Sequence, residues 1–378
     1  MKNSQIKVCH MTSVHKRYDA RILKKECCTL VANGYDVTLI VADNKPEEIY
    51  NGVKIVSINF TPKNRLDRIK NSKKYILKEA VGIDADIYHF HDPELIPVGL
   101  DLLKRGKKVI YDSHENYPQD IFYKKIWMPL PLRWIVSKAF AVYEKTALPK
   151  FSAVISVTPQ IVDRFLLSNK NSYLITNYPI IKGDDECSVK IRTNNKWIAV
   201  FAGSIQAPWV HENFIKAIQD TSFSFIMAGK VSEPAYIEKL KSLDRNNKLR
   251  YIGEKTQDEI FALYKDVSLG LAIAEYRPTE FNHEGSLGIN KFFEYMRFGI
   301  PSICTDYTLW MPIIEKWRCS FPVNPNKLDD IIQVLHKIEN NPDLLVEMGR
   351  RAREASVTEY NWESQVPTLL KAYKAAMQ

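Results

Sequence analysis

Short runs of apolar residues alternate along the chain with longer segments whose apolar positions recur every three or four residues. The first run is Ile6–Met11, followed by helical spacing from about Asp19 to Ala32 that Asn33-Gly34 ends. Runs of strand length recur at Asp36–Ala42, Lys54–Phe60, Asp86–Phe90, Lys108–Tyr111 and Ala153–Val157, most of them separated by helical segments. The pattern lapses from about Asn177 to Lys196, where Gly183-Asp-Asp-Glu and Arg192-Thr-Asn-Asn-Lys are polar and turn-rich, as in a linker. It then resumes with Trp197–Ala202, Ser224–Ala228, Leu249–Ile252, Val267–Ala272, Ser302–Thr305 and Ser320–Val323. The end of the chain is helical, including Leu344–Ala355 and Trp362–Met377. Strand–helix alternation of this kind predicts parallel sheets covered on both faces. The chain is therefore expected to be α/β, with two doubly wound halves and ligands at the carboxyl ends of the strands.

Composition narrows the function. The 378 residues are 45% hydrophobic and 26% charged, as in globular proteins. No apolar run approaches the ~20 residues of a spanning helix. The start, Met1-Lys-Asn-Ser-Gln, has no apolar signal core, so a cytoplasmic protein is expected. Cys9, Cys27, Cys28, Cys187, Cys304 and Cys319 form no CxxC pair and no cluster with zinc-ligand spacing. Residues 1–175 hold 28 Lys+Arg against 18 Asp+Glu, whereas residues 176–378 hold 25 against 26. The excess positive charge of the first half suits an anionic partner or a solvated basic surface. Only 14 glycines occur, and no GxGxxG, GxxxxGK[ST] or GxSxG is present. Dinucleotide dehydrogenases, P-loop enzymes and serine hydrolases are disfavoured. Asp84-Ala-Asp86 precedes a strand, at the wrong end of the sheet for a metal–nucleotide site.

Three segments of the first half leave strand carboxyl ends with ionisable residues. His91-Asp92-Pro93-Glu94 opens a helix and should set His91 at the cleft edge. Asp112-Ser-His114-Glu115 follows another strand, and the first loop carries His15, Arg17, Asp19 and Arg21, of which Asp19 could simply cap a helix. In the second half, Gly285-Ser-Leu-Gly-Ile-Asn-Lys-Phe-Phe-Glu-Tyr-Met sets a glycine-flanked loop before a helix. Its free amides and positive dipole end suit a diphosphate. Lys291 is available for phosphate charge, and Glu294, on the face of Asn290, can take two hydrogen bonds from a ribose diol.

That segment resembles the signature of the retaining glycosyltransferase family 4, bacterial polysaccharide-biosynthesis type, with the GT-B fold. So do His15…Asp19-Ala-Arg21, His89-Phe-His91-Asp92-Pro93, Asp112-Ser-His-Glu115, Asn177-Tyr-Pro and Phe201-Ala-Gly203-Ser204. The resemblance spans nearly the whole chain. It implies two Rossmann-like domains facing across a cleft: 1–178 for the acceptor, 179–360 for the nucleotide-sugar, and a helix, 361–378, returning to the first. Glu294 matches the second glutamate of the family's E-x7-E motif. The first falls on Ser286, so the main chain of Ser286, Leu287, Gly288 and Ile289 would serve instead. Gly203, Ser204 and Asn290 complete the implied donor site. The family's basic residues after Gly203 are missing, which leaves Lys230 and Lys291 as candidates. His91 matches the cleft histidine, and His15, Asp19, Arg21, His114 and Glu115 would line the acceptor side.

The resemblance thus implies retaining transfer from a nucleotide-sugar to a saccharide or lipid-linked saccharide in surface polysaccharide assembly, with no metal or other cofactor. The alternatives are a nucleotide-sugar epimerase of the same fold and an inactive scaffold subunit. Residues 121–150 interleave Lys124, Lys125, Arg133, Lys138, Lys145 and Lys150 with Phe122, Tyr123, Trp127 and Trp134. Apolar positions 132, 135, 136, 139, 142 and 143 share one helical face, expected to cover the sheet. The aromatic–basic remainder would rest on an anionic membrane, at the inner face of the plasma membrane. No nucleic-acid-binding module is recognisable.

Overall fold

A computed structural model describes residues 5–60, 67, 71–181 and 197–378. Most of the expected linker, with Cys187, lies outside the described residues. The chain forms two compact units, Met1–Asn177 with Ser364–Gln378, and Tyr178–Glu363.

The first unit is built on β1 (Lys7–Met11), β2 (Asp36–Val41), β3 (Glu48–Tyr50), β4 (Val53–Ser57), β5 (Ile87–Phe90), β6 (Lys108–Ser113), β7 (Ala153–Ser156) and β8 (Ser172–Leu174). Their order is β3-β4-β2-β1-β5-β6-β7-β8, and every pairing is parallel except β3 with β4. The short edge strands β3 and β8 escape a reading of apolar runs because each has only three residues, none fully buried. Central strands such as β5 and β7 are buried at every position, as a sheet covered on both faces requires. Asp84 and Asp86 serve the fold. Asp84 ends a helix with left-handed backbone and pairs with Lys107 at 2.7 Å, and Asp86 accepts the amide of Lys7.

The segment after the first loop is not one α-helix. Ala20–Cys27 has the wider i→i+5 turn, and Cys28–Ala32 continues as α-helix. Asp19 caps it, accepting the amides of Arg21 and Ile22. The wider turn brings Arg21 and Glu26, five residues apart, to within 3.1 Å of each other.

The helix Leu130–Ala147 corrects an expectation. Its apolar face does not cover the sheet: Leu132, Ile135, Val142 and Tyr143 are exposed. The inward face is mixed, with Val136 and Phe140 half-buried and Ala147 buried beside polar Ser137 and Glu144. Ser137 donates to the carbonyl of Pro118, and fully buried Glu144 accepts from Arg164 at 2.6 Å and from Tyr111 at 3.2 Å. The bond from half-buried Arg164 to buried Glu144 helps hold the helix with Leu132, Ile135, Val142 and Tyr143 outward.

The second unit holds β9 (Trp197–Ala202), β10 (Phe223–Ala228), β11 (Leu249–Tyr251), β12 (Leu269–Ala272), β13 (Ser302–Thr305) and β14 (Ser320–Val323). The order is β11-β10-β9-β12-β13-β14, all parallel. The helix Asn290–Arg297 packs Phe292, Phe293, Tyr295 and Met296 into its core. Trp310, fully buried, stacks on Phe292 with ring centres 4.5 Å apart, and its Nε1 donates to the carbonyl of Ser286 at 3.2 Å. One side chain thereby ties the 285–289 loop to the helix behind it. Trp310→Ala is expected to cost about 3–5 kcal/mol, from lost burial and the cavity left behind. Urea denaturation checks this, and a loss under about 1 kcal/mol would show that the loop and helix do not depend on it.

Candidate functional site

In the second unit the strand ends of β9 and β10 meet at two glycines. Gly203 and Gly229 both have positive φ, at 143° and 135°. A Cβ on Gly229 would stand 1.9 Å from the carbonyl oxygen of Gly203, and one on Gly203 would stand 2.6 Å from Lys291 Nζ. Only glycine permits this approach of two backbones and an ammonium. Beyond them opens a cavity of about 280 Å³, lined by Gly203, Gly229, Lys230, Glu254, Lys255, Gln257, Ile260, Phe261 and Glu294, with Ala202 and Ala228.

Glu294 enters from the helix Asn290–Arg297, and its Oε2 accepts from Tyr264 at 3.0 Å. Tyr264 is itself buried, so the carboxylate is held in place from beneath. Lys291 lies one turn earlier. Its Nζ rests 4.0 Å from the ring centre of Trp209 and 4.7 Å from that of Phe201. Burial pushes its pKa down to about 8, against the opposing charge of Glu294. No carboxylate stands within ion-pair distance of it among the described residues. It is thus a cation held by ring faces and by backbone.

Of the expected donor-site residues, Gly203, Lys230 and Glu294 line the cavity and Lys291 borders Gly203. Ser286, Leu287, Gly288 and Asn290 are not among its lining residues. The Ser286 hydroxyl accepts the Gly288 amide at 3.0 Å, so that amide is engaged inside the loop. Ser204 faces Ser232, hydroxyl to hydroxyl, at 3.3 Å. The residues 254–261 were missed. The signal was present: Thr256 and Glu259 form a capping box that starts the helix Gln257–Tyr264 at the cavity wall.

The first unit carries a second cluster. His10 on β1 stands opposite His89 on β5, and His91 and Asp112 lie two residues beyond His89 and Ile110. The two-residue period of strands puts all four on one face. Arg21 and Glu26 come down on that face from the 20–27 segment, and Tyr373 from the C-terminal helix. Arg21 bonds Asp112 through Nε at 3.0 Å and the Ile175 carbonyl through Nη1 at 2.9 Å. Burial opposes the charge of Asp112, but Arg21 overcomes it and holds the pKa well below the usual range. Burial likewise pushes the His91 pKa down to about 4, despite Asp112. His91 is therefore neutral at pH 7.

His91 was expected at the edge of a cleft. It is fully buried instead, because its amide still bonds to Met11 and its ring continues the inward face of β5. The half-buried rim above consists of His15, Asp19 and His114. His15 Nδ1 is 3.2 Å from Asp19 and Nε2 3.6 Å from Asp92. Burial disfavours its charge, but the bond to Asp19 and the nearby Asp92 raise its pKa. His114 Nε2 is 3.1 Å from Asp112, and its ring centre is 5.2 Å from that of His15. Arg21, only 4% exposed, belongs to the floor, and Glu115 turns aside toward Lys124 at 3.7 Å. Asp92 was missed as a structural acceptor: it takes the Ser13 amide at 2.6 Å and the Thr12 hydroxyl at 2.8 Å.

Comparison with known proteins follows this division. Residues 20–169 match the family described as Glycosyltransferase Family 4, and residues 185–355 match Glycosyl transferases group 1. No curated protein sequence matches the chain. Among solved structures, sucrose-phosphate synthase from Thermosynechococcus elongatus is 13% identical with a TM-score of 0.75, covering 98% of each chain. A glycosyltransferase from Rickettsia africae is 16% identical with a TM-score of 0.70, covering 99% of each chain. Anabaena Alr3699/HepE, solved with UDP-glucose, is 13% identical with a TM-score of 0.68, covering 98% of this chain and all of that one. Such identities establish a shared GT-B fold.

Arg21 compensates both Asp112 and Glu26. Arg21→Ala is expected to destabilise the protein by about 3–5 kcal/mol, the usual cost of stranding a buried charge. Equilibrium urea denaturation tests this; a change within 1 kcal/mol would mean that the two carboxylates are satisfied without it.

Proposed function

The chain belongs to the family 4 glycosyltransferases, and from that premise we propose that it is a retaining transferase whose cavity at Gly203, Gly229 and Glu294 binds the nucleotide of a nucleotide-sugar. The observation that carries this reading is the meeting of three groups at one strand end. A carboxylate fixed by Tyr264 suits a ribose diol. A glycine pair lets a ligand reach the backbone, and a cation without a protein counter-ion suits a diphosphate. HepE, of like fold, was solved with UDP-glucose.

In the proposed reaction the bond from the anomeric carbon to the diphosphate oxygen breaks, and a bond to an acceptor hydroxyl oxygen forms on the same face. The hydroxyl proton passes to the departing phosphate. Lys291, the exposed Lys230 and the amides opening the helix Asn290–Arg297 stabilise the leaving charge without a metal at the diphosphate. The acceptor is a saccharide, or a lipid-linked saccharide, of surface polysaccharide assembly, and His15, Asp19 and His114 form its rim. His91 acts as a positioning residue beneath His114.

Lys291 gives this reading a pH signature. In the free protein its ammonium is present below about 8 and lost above it. A bound diphosphate needs the charged form, so binding above pH 8 takes up a proton, and affinity falls by up to about tenfold per pH unit. Calorimetry with a nucleoside diphosphate should show this slope in wild type and not in Lys291→Met. Glu294→Gln should weaken binding about tenfold at every pH. Unchanged affinity in Glu294→Gln would sink the ribose assignment.

We further propose that residues 121–150 hold the protein on an anionic lipid surface, at the inner face of the plasma membrane. No described helix is long and apolar enough to cross a membrane. The support is an exposed apolar band with Trp127 at 68%, Trp134 at 55% and Ile126 at 78% exposure, set among lysines. Trp127→Ala/Trp134→Ala should reduce sedimentation with phosphatidylglycerol vesicles at least about tenfold. Equal binding to phosphatidylcholine vesicles, or none to either, would count against a lipid surface.

A further inference from the structure

The floor of the first unit holds more ionisable groups than glycosyl transfer requires. His10, Glu26, His89 and His91 are each completely buried. One potential ligand atom from each lies within 4.8 Å of those of the other three. His10 Nδ1 is 3.0 Å from His91 Nε2, and Glu26 Oε2 is 3.8 Å from that nitrogen. Four nitrogen and oxygen ligands around a tetrahedral ion, each about 2.0–2.2 Å from it, stand roughly 3.3–3.5 Å apart. The observed separations bracket that spacing.

Each imidazole is anchored by its other nitrogen. The Tyr373 hydroxyl lies 2.9 Å from His10 Nε2 and 2.8 Å from His89 Nδ1. His91 Nδ1 lies 3.4 Å from Asp112. Hydroxyl and carboxylate partners of this kind orient metal-binding histidines. The nitrogens that face one another are His10 Nδ1 and His91 Nε2, 3.0 Å apart, with His89 Nε2 beside them. His89 Nε2 has no hydrogen-bond partner, although fully buried, and Glu26 turns Oε2 toward His91 while Oε1 meets Arg21 at 3.1 Å. A divalent ion would satisfy His89 Nε2 and replace the hydrogen bond between His10 and His91 with two metal bonds.

We propose that His10, His89, His91 and Glu26 bind one divalent transition-metal ion, zinc by its preference for three imidazoles and a carboxylate. With four buried protein ligands the site is closed, so its role is structural. It joins β1, β5 and the 20–27 segment, and through Tyr373 it fixes the C-terminal helix. These ligands are spread over 82 positions rather than set at a motif's spacing, so the sequence alone carries no metal signature. The ion would lie in the first unit, and the donor cavity is in the second.

The test is metal analysis of the full chain, purified without a metal-affinity tag. Wild type should carry about one zinc per chain, and chelation should lower its thermal midpoint by more than about 5 °C. His89→Ala should lose the metal, and Tyr373→Phe should remain folded but release it faster. His15→Ala, at the rim, should retain it. Cobalt-substituted wild type should show tetrahedral d–d bands without a thiolate charge-transfer band, a readout that needs no variant to fold. Less than about 0.1 equivalent of any metal in wild type, a thiolate band, or full metal content in His89→Ala would overturn the proposal.

Discussion

The first unit depends on a guanidinium placed where no water reaches it. Arg21 meets Asp112 through Nε and Nη2 and Glu26 through Nε, and gives Nη1 to the Ile175 carbonyl. A lysine in that position would present a point charge, whereas the planar fork of arginine addresses several acceptors in fixed directions. Those directions determine which imidazole faces which acid. Asp112, held ionised by Arg21, then lies against both His91 and His114. The rim of His15, Asp19 and His114 therefore stands on a floor that cannot shift without stranding a charge. The widened turn at Ala20–Cys27 belongs to the same constraint, because it brings Arg21 and Glu26 together.

The second unit solves a different problem by different means. Its cation, Lys291, has aromatic rings where Arg21 has carboxylates. Burial lowers its pKa to about 8, with only the charge of Glu294 acting against it. Gly203 brings backbone against Lys291, and Gly229 packs on Gly203 in turn. A carboxylate partner would have neutralised this charge permanently. Without one, the field of the lysine is directed at whatever enters beside it.

Much of this was legible in the sequence. The alternation of apolar runs yields the strands of both sheets to within one or two residues wherever the run is buried on both faces. It misses β3 and β8, which are short and half-exposed. Glu294, Lys230 and Gly203 were legible from the glycine-flanked loop and from resemblance, and they meet at one cavity. The walls formed by Glu254, Lys255 and Phe261 are not, because they come from another loop and the helix Gln257–Tyr264, which only the fold brings near. His91 was placed at an edge because it follows a strand and precedes a proline. The hydrogen bond of its amide to Met11 extends the sheet by one residue and turns the ring inward. The helix Leu130–Ala147 was read with its apolar face inward, since periodicity reports that two faces differ and not which one is buried. Contacts from outside the helix, Arg164 and Tyr111 with Glu144 and Ser137 with the Pro118 carbonyl, hold that orientation.

These three departures share a cause. At His91, at Glu144 and at the His10–Glu26 cluster, ionisable groups occupy positions where a pattern of hydrophobicity expects apolar side chains. Each is tolerated because partners distant in sequence satisfy it: Asp112 for His91, Arg164 for Glu144, Tyr373 for His10 and His89. Burying such groups unpartnered costs several kcal/mol each. They therefore constrain the unit more tightly than an apolar core would, since hydrophobic contact is non-directional and a hydrogen bond is not. The C-terminal helix shows the consequence. Apolar Leu369, Ala372 and Ala376 would allow it to slide along the sheet, but the Tyr373 hydroxyl, between two histidines, admits one register. The end of the chain is thus keyed to β1 and β5 by chemistry that only the folded unit assembles.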